Sequence, residues 1–240
     1  MSKIRIKGDT SGFVDLEASA TGNNLGIGTS NALKKLHVAD AGDVHIALQS
    51  TNAADNSEIF EIGAGANASN KVDLTFRTRL NSGSGGSEHM RIDNDGRVTK
   101  PNQPAFLAKV NSTINNLSVN TASNVDIPIT NEIFDLNNNF SSSTFTAPVT
   151  GKYVLGFEMR LDNIDAATTS YSFYIVTSNR TYSYIFDPDV GNDRLYYTPS
   201  YTVLTDMDAN DTAKMQYYVN AGAAQATLVN STYFYGYLVA

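Results

Sequence analysis

Cysteine is absent from this chain of 240 residues, and histidine occurs only three times. The first absence excludes disulfides, zinc–thiolate sites and thiol nucleophiles together. The three histidines all lie in the first hundred residues and no two are four positions apart, so no zinc set built on histidine is expected. A Gly-x-Ser-x-Gly nucleophile elbow is missing as well. These absences favour a protein that is not an enzyme and that uses no cofactor.

Long apolar runs are also missing. No stretch approaches the length of a membrane span, and the first nine residues contain no apolar core of a signal peptide. We therefore expect no membrane insertion and no cleaved secretory signal, with synthesis in a reducing cytoplasm.

Positive charge is scarce in the second half of the chain. Residues 1–100 carry 11 basic and 12 acidic side chains, whereas residues 101–240 carry 6 basic and 12 acidic ones. An acidic surface with few Lys and Arg side chains binds phosphate backbones poorly. Nucleic acid is therefore not an expected partner.

The distribution of side chains predicts two modules. All 13 tyrosines lie in the second half of the chain, and Pro101 and Pro104 stiffen the segment between the halves. Just before these prolines, Asn94-Asp95-Gly96 supplies positive-φ residues for a hairpin turn between two short strands. We expect one β-rich module over residues 1–100 and a second module over residues 101–240.

Short runs with a period of two predict strands along the whole chain and no helix longer than a turn or two. In the run from Thr181 to Phe186, for example, Tyr182 and Tyr184 fall on the same face as Phe186. The sequence therefore predicts an all-β protein.

The stretch from residue 233 to residue 239 is aromatic or apolar on both faces. Tyr233, Tyr235 and Tyr237 alternate with apolar residues such as Phe234. A strand of this kind needs cover on both faces. One interpretation places it between the layers of a single domain. The interpretation that we favour puts the three tyrosines at a subunit interface, because tyrosine suits packed surfaces that stay partly wet.

Several stretches between Pro104 and Ala240 share a pattern of aromatic, proline and glycine residues. They include Pro104–Phe106, then Phe140–Phe157 with its aromatic, Pro, Gly, Tyr and Phe series, and Ser231–Ala240 with its Phe, Gly and Leu. This part of the chain resembles the globular heads of the C1q/TNF-like family. The resemblance implies a jelly-roll sandwich, assembly in threes and no catalytic residues.

The same resemblance implies structural roles for individual residues. Pro148 and Gly151 would form a turn, and Tyr153 and Phe157 would point into the core from the next strand. Asn210-Asp211 stands where the family usually has Gly-Asp. Because Asn tolerates positive φ better than most residues, we still predict a tight turn there.

The first half resembles a different group of proteins. Gly26-Ile27-Gly28-Thr29, Lys35-Leu36-His37-Val38 and Met90-Arg91-Ile92-Asp93 match segments that are common in tail-fibre and other structural proteins of bacteriophages. In that pattern the first segment is a turn, the second a strand and the third part of a hairpin. The first segment also lacks the third glycine of a phosphate-binding loop, and no helical period follows it, so we predict a turn there.

Two acidic clusters, residues 187–193 and 206–211, each place three carboxylates close together, as Ca²⁺ requires, although ordinary solvated turns use the same residue types. The candidate calcium set is Asp206, Asp208 and Asp211. The stretch from residue 182 to residue 197 is the candidate for sugar binding, because aromatic rings stack on sugars and carboxylates accept hydrogen bonds from hydroxyls; packing is the alternative role for its tyrosines. The candidate binding residues are Tyr182, Tyr184, Asp187, Asp189, Asp193, Tyr196 and Tyr197.

Together these features predict a trimeric, non-enzymatic bacteriophage virion protein. The N-terminal module would bind other virion proteins and hold three chains together, and the C-terminal head would contact a glycan or protein on the host surface. A head-decoration or collar fibre with a purely structural role is the alternative. A tailspike that cleaves glycans is disfavoured because no repeat of 20–50 residues is visible. A cytoplasmic monomer unrelated to viruses is a further alternative.

Overall fold

The computed structural model describes residues 3–7, 13–18, 25–27, 33–49, 59–66, 71–80 and 86–240. The chain divides into two compact units, Met1–Pro101 and Asn102–Ala240. Throughout the described ranges the secondary structure is strand, turn and loop, with no helix, which confirms the all-β prediction. Within those ranges, no helix has the length and hydrophobicity needed to cross a membrane.

The N-terminal unit contains a small four-stranded sheet. Its first three strands are antiparallel neighbours, and the third pairs in parallel with the fourth. Gly26 and Ile27 belong to the third strand, so the predicted turn is wrong at these two positions, and Gly28 and Thr29 lie outside the described residues. The third strand is held by pairing with residues 17–18 and 36–38, and such pairing leaves no signal within the segment itself. The strands are β1 (Lys3–Lys7), β2 (Phe13–Ala18), β3 (Leu25–Ile27) and β4 (Leu36–Val38).

A second sheet of the same unit is an antiparallel meander of five strands in chain order. Each strand pairs with the next, and residues of alternate parity face opposite sides of the sheet. The strands are β5 (Val44–Gln49), β6 (Ile59–Ala66), β7 (Val72–Arg79), β8 (Ser87–Ile92) and β9 (Val98–Thr99).

The hairpin between β8 and β9 forms as predicted, with a different turn geometry. Among its turn residues only Gly96 has a positive φ, of 86°. The carboxylate of Asp93 accepts hydrogen bonds from the backbone N–H groups of Asp95 and Arg97, each at 2.9 Å. These bonds, with the ion pair between the Arg97 and Asp93 side chains, lower the pKa of Asp93. The side chain of Asp93 thus organises the turn, and one glycine is sufficient.

The C-terminal unit is built from fourteen strands. They are β10 (Ala105–Val110), β11 (Val125–Asp126), β12 (Ile129–Asp135), β13 (Phe140–Ser141), β14 (Thr144–Thr146), β15 (Gly151–Glu158), β16 (Leu161–Ile164), β17 (Ser170–Thr177), β18 (Thr181–Phe186), β19 (Arg194–Tyr197), β20 (Ser200–Met207), β21 (Thr212–Asn220), β22 (Thr227–Leu228) and β23 (Tyr233–Leu238).

The strand pairing of this unit is that of a jelly roll. One sheet has the order β12-β10-β23-β15-β20, and the sheet facing it has the order β13-β14-β21-β17-β18, with β11 also paired to β21. Strand β10 pairs with β23, β14 with β21, β15 with β20, and β17 with β18. This nested pairing is a long hairpin wound into two layers, which confirms the predicted jelly-roll sandwich. Strands β19, β16 and β22 form a separate small sheet, in that order.

The core of the unit lies between the two large sheets. Phe106 stacks on Phe140 and Phe145 with ring centroids 4.8 Å away in both cases, and Phe234 meets it edge to face at 5.1 Å. These four rings are buried, and aromatic pairs of this kind stabilise the fold by more than the burial of their surface area alone. The core therefore draws rings from both ends of the unit's sequence.

The structural roles inferred from the family pattern hold for Tyr153, Phe157 and Asn210, whereas the turn predicted at Pro148 and Gly151 is a bend that ends before Gly151, the first residue of strand β15. Tyr153 and Phe157 are fully buried, as predicted, and the Tyr153 hydroxyl donates to the Val149 carbonyl at 2.7 Å. Asn210 adopts the positive φ of 75° that a glycine would otherwise supply. A Cβ at Gly151 would lie 2.6 Å from the Ala240 carbonyl oxygen, so the glycine lets the end of the chain approach strand β15.

Candidate binding surfaces of the C-terminal unit

Strand β23 presents its tyrosines on the side of the sheet away from the core. Phe234 is buried, whereas Tyr233 and Tyr235 are half-buried and Tyr237 is 47% exposed. The Tyr235 ring lies over the backbone of Gly156 on the neighbouring strand, where an added Cβ would come within 2.5 Å of the ring. This predicted interface set therefore lies together on one outer face.

Apolar side chains from the adjacent strands extend this surface. Register places Leu107 beside Tyr235 and Val154 beside Tyr237, and Leu204 follows Val154 on β20. Leu204 is 63% exposed. We call this surface the outer aromatic face; it consists of Leu107, Phe134, Val154, Leu204, Tyr235 and Tyr237.

Few polar groups lie within the outer aromatic face, and the Tyr235 hydroxyl is 2.8 Å from the Thr202 hydroxyl. Charged residues lie at both ends of the face. The register places Lys109 and Glu158 beside Tyr233 at one end, and Lys152 and Asp206 two positions beyond Val154 and Leu204 at the other. A face of this composition suits contact with another apolar protein surface better than contact with water.

Two predicted binding tyrosines are packing residues instead. Tyr182 and Tyr184 lie within strand β18, not in a loop, and both pack against the core. The Tyr182 hydroxyl donates to the Thr205 hydroxyl at 2.9 Å, and the Tyr184 ring centroid is 6.2 Å from that of Phe157. Their period of two identified the strand face correctly, and that face points inward.

Tyr197 belongs to the same packed group. Its hydroxyl is 2.8 Å from the Tyr184 hydroxyl, and its ring centroid is 4.5 Å from that of Phe186. Burial, together with the hydrogen bond between the Tyr184 and Tyr197 hydroxyls, raises the pKa of Tyr184 to about 12. Tyr197 is therefore not available as a stacking platform.

The three predicted aspartates lie in the loop between β18 and β19, and two of them stabilise that loop. The Asp187 carboxylate accepts the Asp189 backbone N–H at 2.9 Å. The Asp193 carboxylate accepts the Ala166 backbone N–H and the Gln225 side-chain amide, each at 3.0 Å, and these bonds lower the pKa of Asp193. The loop borders an open depression of about 680 Å³ whose lining includes Asp165, Asp189 and Asn192.

Tyr196 is the most exposed of the predicted binding tyrosines, because 65% of it is exposed. The guanidinium carbon of Arg160 lies 5.1 Å from its ring centroid, a cation–π distance. Arg160 in turn donates to the Asp162 carboxylate at 2.9 Å. We call Arg160, Asp162 and Tyr196 the Tyr196 platform. Sequence reasoning missed Arg160 and Asp162 because pairing of β16 with β19 brings them to the ring.

The predicted calcium set is not assembled. The Asp206 carboxylate pairs with the Arg180 guanidinium at 2.6 Å. One Asp211 oxygen accepts both the Asp208 backbone N–H at 2.8 Å and the Asn179 side-chain amide at 2.9 Å. Across the described ranges, no group of three or more His, Asp or Glu side chains is arranged to hold a metal ion. These aspartates shape their turn.

No family model and no curated protein matches this sequence. Similar solved structures include the globular domain of the zebrafish complement 1qA protein, 16% identical, covering 57% of this chain and 98% of that chain with a TM-score of 0.42. Another is murine APRIL, crystallised at pH 8.0, 10% identical, covering 57% of this chain and 99% of that chain with a TM-score of 0.43. The jelly-roll winding of residues 102–240 is evident from their own strand pairing.

Proposed function

We propose that this chain is a non-enzymatic structural protein of a bacteriophage particle. Three copies assemble into a fibre, and the C-terminal unit projects from the particle and contacts the host surface. The outer aromatic face carries the proposal, because Leu204 and Tyr237 leave a largely uncharged apolar surface open on a single chain. Isolated soluble proteins rarely expose a continuous surface of this kind.

Assembly in threes is supported by the sequence pattern of residues 104–240, which resembles C1q/TNF-like heads. A closed cyclic trimer also covers the same apolar surface in every copy and leaves no copy of that surface free to bind further chains. The tyrosines on strand β23 suit such a contact, since their rings pack while their hydroxyls keep a partner, as Tyr235 does with Thr202.

A role in the virion is supported by the N-terminal segments that resemble phage structural proteins. Lys35–Val38 overlaps strand β4, and Met90–Asp93 enters the β8–β9 hairpin. In this proposal the N-terminal unit binds another virion protein.

Contact with the host is assigned to the Tyr196 platform. An exposed ring, a guanidinium and a carboxylate offer the stacking surface, donor and acceptor that a saccharide uses. One such contact is weak, but three copies on one fibre make the second and third contacts intramolecular and so increase overall affinity.

Sedimentation of the purified full chain tests assembly, and a species of three chains is the expected result. One 25.9 kDa chain in solution would overturn the trimer. Immunogold labelling with antibody against residues 104–240 tests location on the virus. Gold at tail-fibre tips supports host contact, whereas gold spread over the head makes the protein a decoration or collar fibre.

Loss of host adsorption in a phage carrying Tyr196→Ala tests the platform, with Tyr174→Ala on strand β17, in a different sheet, as the control. Recombinant protein that shortens host polysaccharide would contradict the non-enzymatic assignment.

A further inference from the structure

The five-stranded sheet of the N-terminal unit has one face made of apolar side chains. The strand register aligns Ile46, Ile62, Phe76 and Met90 across four strands in one row. Leu48 and Phe60 begin the next row on the same face. We call this surface the apolar N-terminal face; it consists of Ile46, Leu48, Phe60, Ile62, Phe76 and Met90.

This face is open in a single chain. Leu48 is 61% exposed and Ile46 is 50% exposed, although neither side chain gains anything from water. In the described ranges, the hydrophobic side chains that are fully buried all belong to residues 106–234. The sheet therefore has an apolar face without a core of its own, and a single sheet is not stable in that state.

The opposite face of the sheet is polar and already has its partners. Arg79 pairs with the Glu61 carboxylate, and Arg91 pairs with Asp73 at 2.6 Å. The His45 ring lies over Gly63, where an added Cβ would overlap it. Because Glu61 and Asp73 are buried by these contacts, the side of the sheet that needs an external partner is the apolar one.

We infer that the apolar N-terminal face packs against the same face of two further copies of this chain, forming a second assembly surface in the N-terminal unit. The inference rests on the proposed trimer and deepens it. The six side chains that define the face carry no charge, so identical faces meet without opposing like charges, although each chain carries a net charge of -7.

Two further considerations identify the partner as the chain itself. A sheet with no core folds only together with whatever covers it, and other copies are present wherever the chain is made. Assembly through the C-terminal unit also brings three N-terminal units onto one tethered complex, which raises their effective concentration for each other.

Three consecutive positions on β5 provide the test, and the natural chain has no cysteine to interfere. Ile46 and Leu48 lie on the apolar N-terminal face, and Ala47 lies between them on the polar face. All three are exposed in a single chain. Single-cysteine variants Ile46→Cys, Ala47→Cys and Leu48→Cys of the full chain are treated with a thiol-alkylating reagent, and sedimentation is measured on the same samples. The alkylation rate of each variant in denaturant gives the rate for an unprotected cysteine at that position.

The expected result is a trimer in which the cysteines at 46 and 48 react at least about tenfold more slowly than the cysteine at 47. Dilution to single chains should abolish that difference. A trimer in which all three cysteines react equally fast would overturn the inference and leave the proposed trimer intact. Protection that persists in single chains would also overturn it, because the chain would then cover its own face. Single chains that react equally at all three positions would overturn both proposals.

Discussion

The C-terminal unit buries Phe106 and Phe234 between its own two sheets, whereas the N-terminal unit leaves Ile46 and Leu48 exposed on one face of its five-stranded sheet. Both units consist of short strands with alternating side chains, so the difference lies in whether an apolar sheet face is covered by another layer. Two facing sheets of the C-terminal unit form a core within one chain, whereas the five-stranded sheet of the N-terminal unit keeps apolar side chains exposed. Strand content alone therefore does not tell whether a unit is stable without a partner.

The largest expected effect comes from the core of the C-terminal unit. Phe106→Ala removes a ring that stacks on two others and should lower the free energy of unfolding by about 3–5 kcal/mol. Phe134→Ala removes an outward ring, 48% exposed, and should cost less than about 1 kcal/mol in dissociated chains. Denaturant unfolding followed by tyrosine fluorescence measures both, because all 13 tyrosines lie in this unit. Equal losses would contradict the assignment of inner and outer faces.

A smaller effect is expected from the polar face of the N-terminal sheet. Arg91→Met leaves the buried Asp73 carboxylate without its ion pair and should cost about 1–3 kcal/mol. Arg97→Met removes a pair whose arginine is 72% exposed and should cost about 0–1 kcal/mol. Amide hydrogen exchange in β7 and β8 measures the change, since this unit contains no tyrosine. Unchanged exchange in the Arg91 variant would show that the polar face does not stabilise the sheet.

Substitutions on the outer aromatic face distinguish a leucine that contacts another chain from a leucine that is merely exposed. Leu204→Asp places a charge in that face and should weaken the trimer at least about tenfold, or about 1.4 kcal/mol. Leu195→Asp is the matched control, because Leu195 is 67% exposed but lies on β19, away from the face. Sedimentation over a range of concentrations compares them. Equal weakening by the two substitutions would rule out a specific contact at Leu204.

The smallest effect concerns alkaline pH. The pKa of Tyr184 is raised to about 12 in the folded state, so the stability linked to its proton is present below the unfolded pKa of about 10 and is lost as the pH rises from there to about 12. Tyr184→Phe should make the decline over this window shallower. Unfolding free energies measured at several pH values give the slopes, and identical slopes for the two proteins would contradict burial of the Tyr184 hydroxyl.

Strand faces in the C-terminal unit were predictable from sequence, because alternation is a local property. The common face of the β23 tyrosines follows from alternation within a few residues, whereas the inward set of Tyr153 and Phe157 and the tight turn at Asn210 were implied by the resemblance to C1q/TNF-like heads. Period-two runs in a chain without helical periodicity are sufficient for that level of description.

The candidate binding surface was less predictable, because long-range pairing decides which side chains are free. Asp193 bonds to Ala166 and Gln225, which lie 27 and 32 residues away in sequence, and no local pattern indicates these partners. Arg160 reaches the Tyr196 ring through the pairing of β16 with β19. Period two also does not distinguish an inward aromatic face from a binding face, so the packing of Tyr182 and Tyr184 against the core does not follow from their alternation.

The contact between Gly156 and Tyr235 has a consequence for how the protein can evolve. Any side chain at position 156 would push the Tyr235 ring out of the outer aromatic face, and a smaller residue at position 235 would leave the Gly156 backbone bare. A substitution at either position alone therefore disturbs the outer aromatic face. In related sequences we expect the residues at positions 156 and 235 to change together.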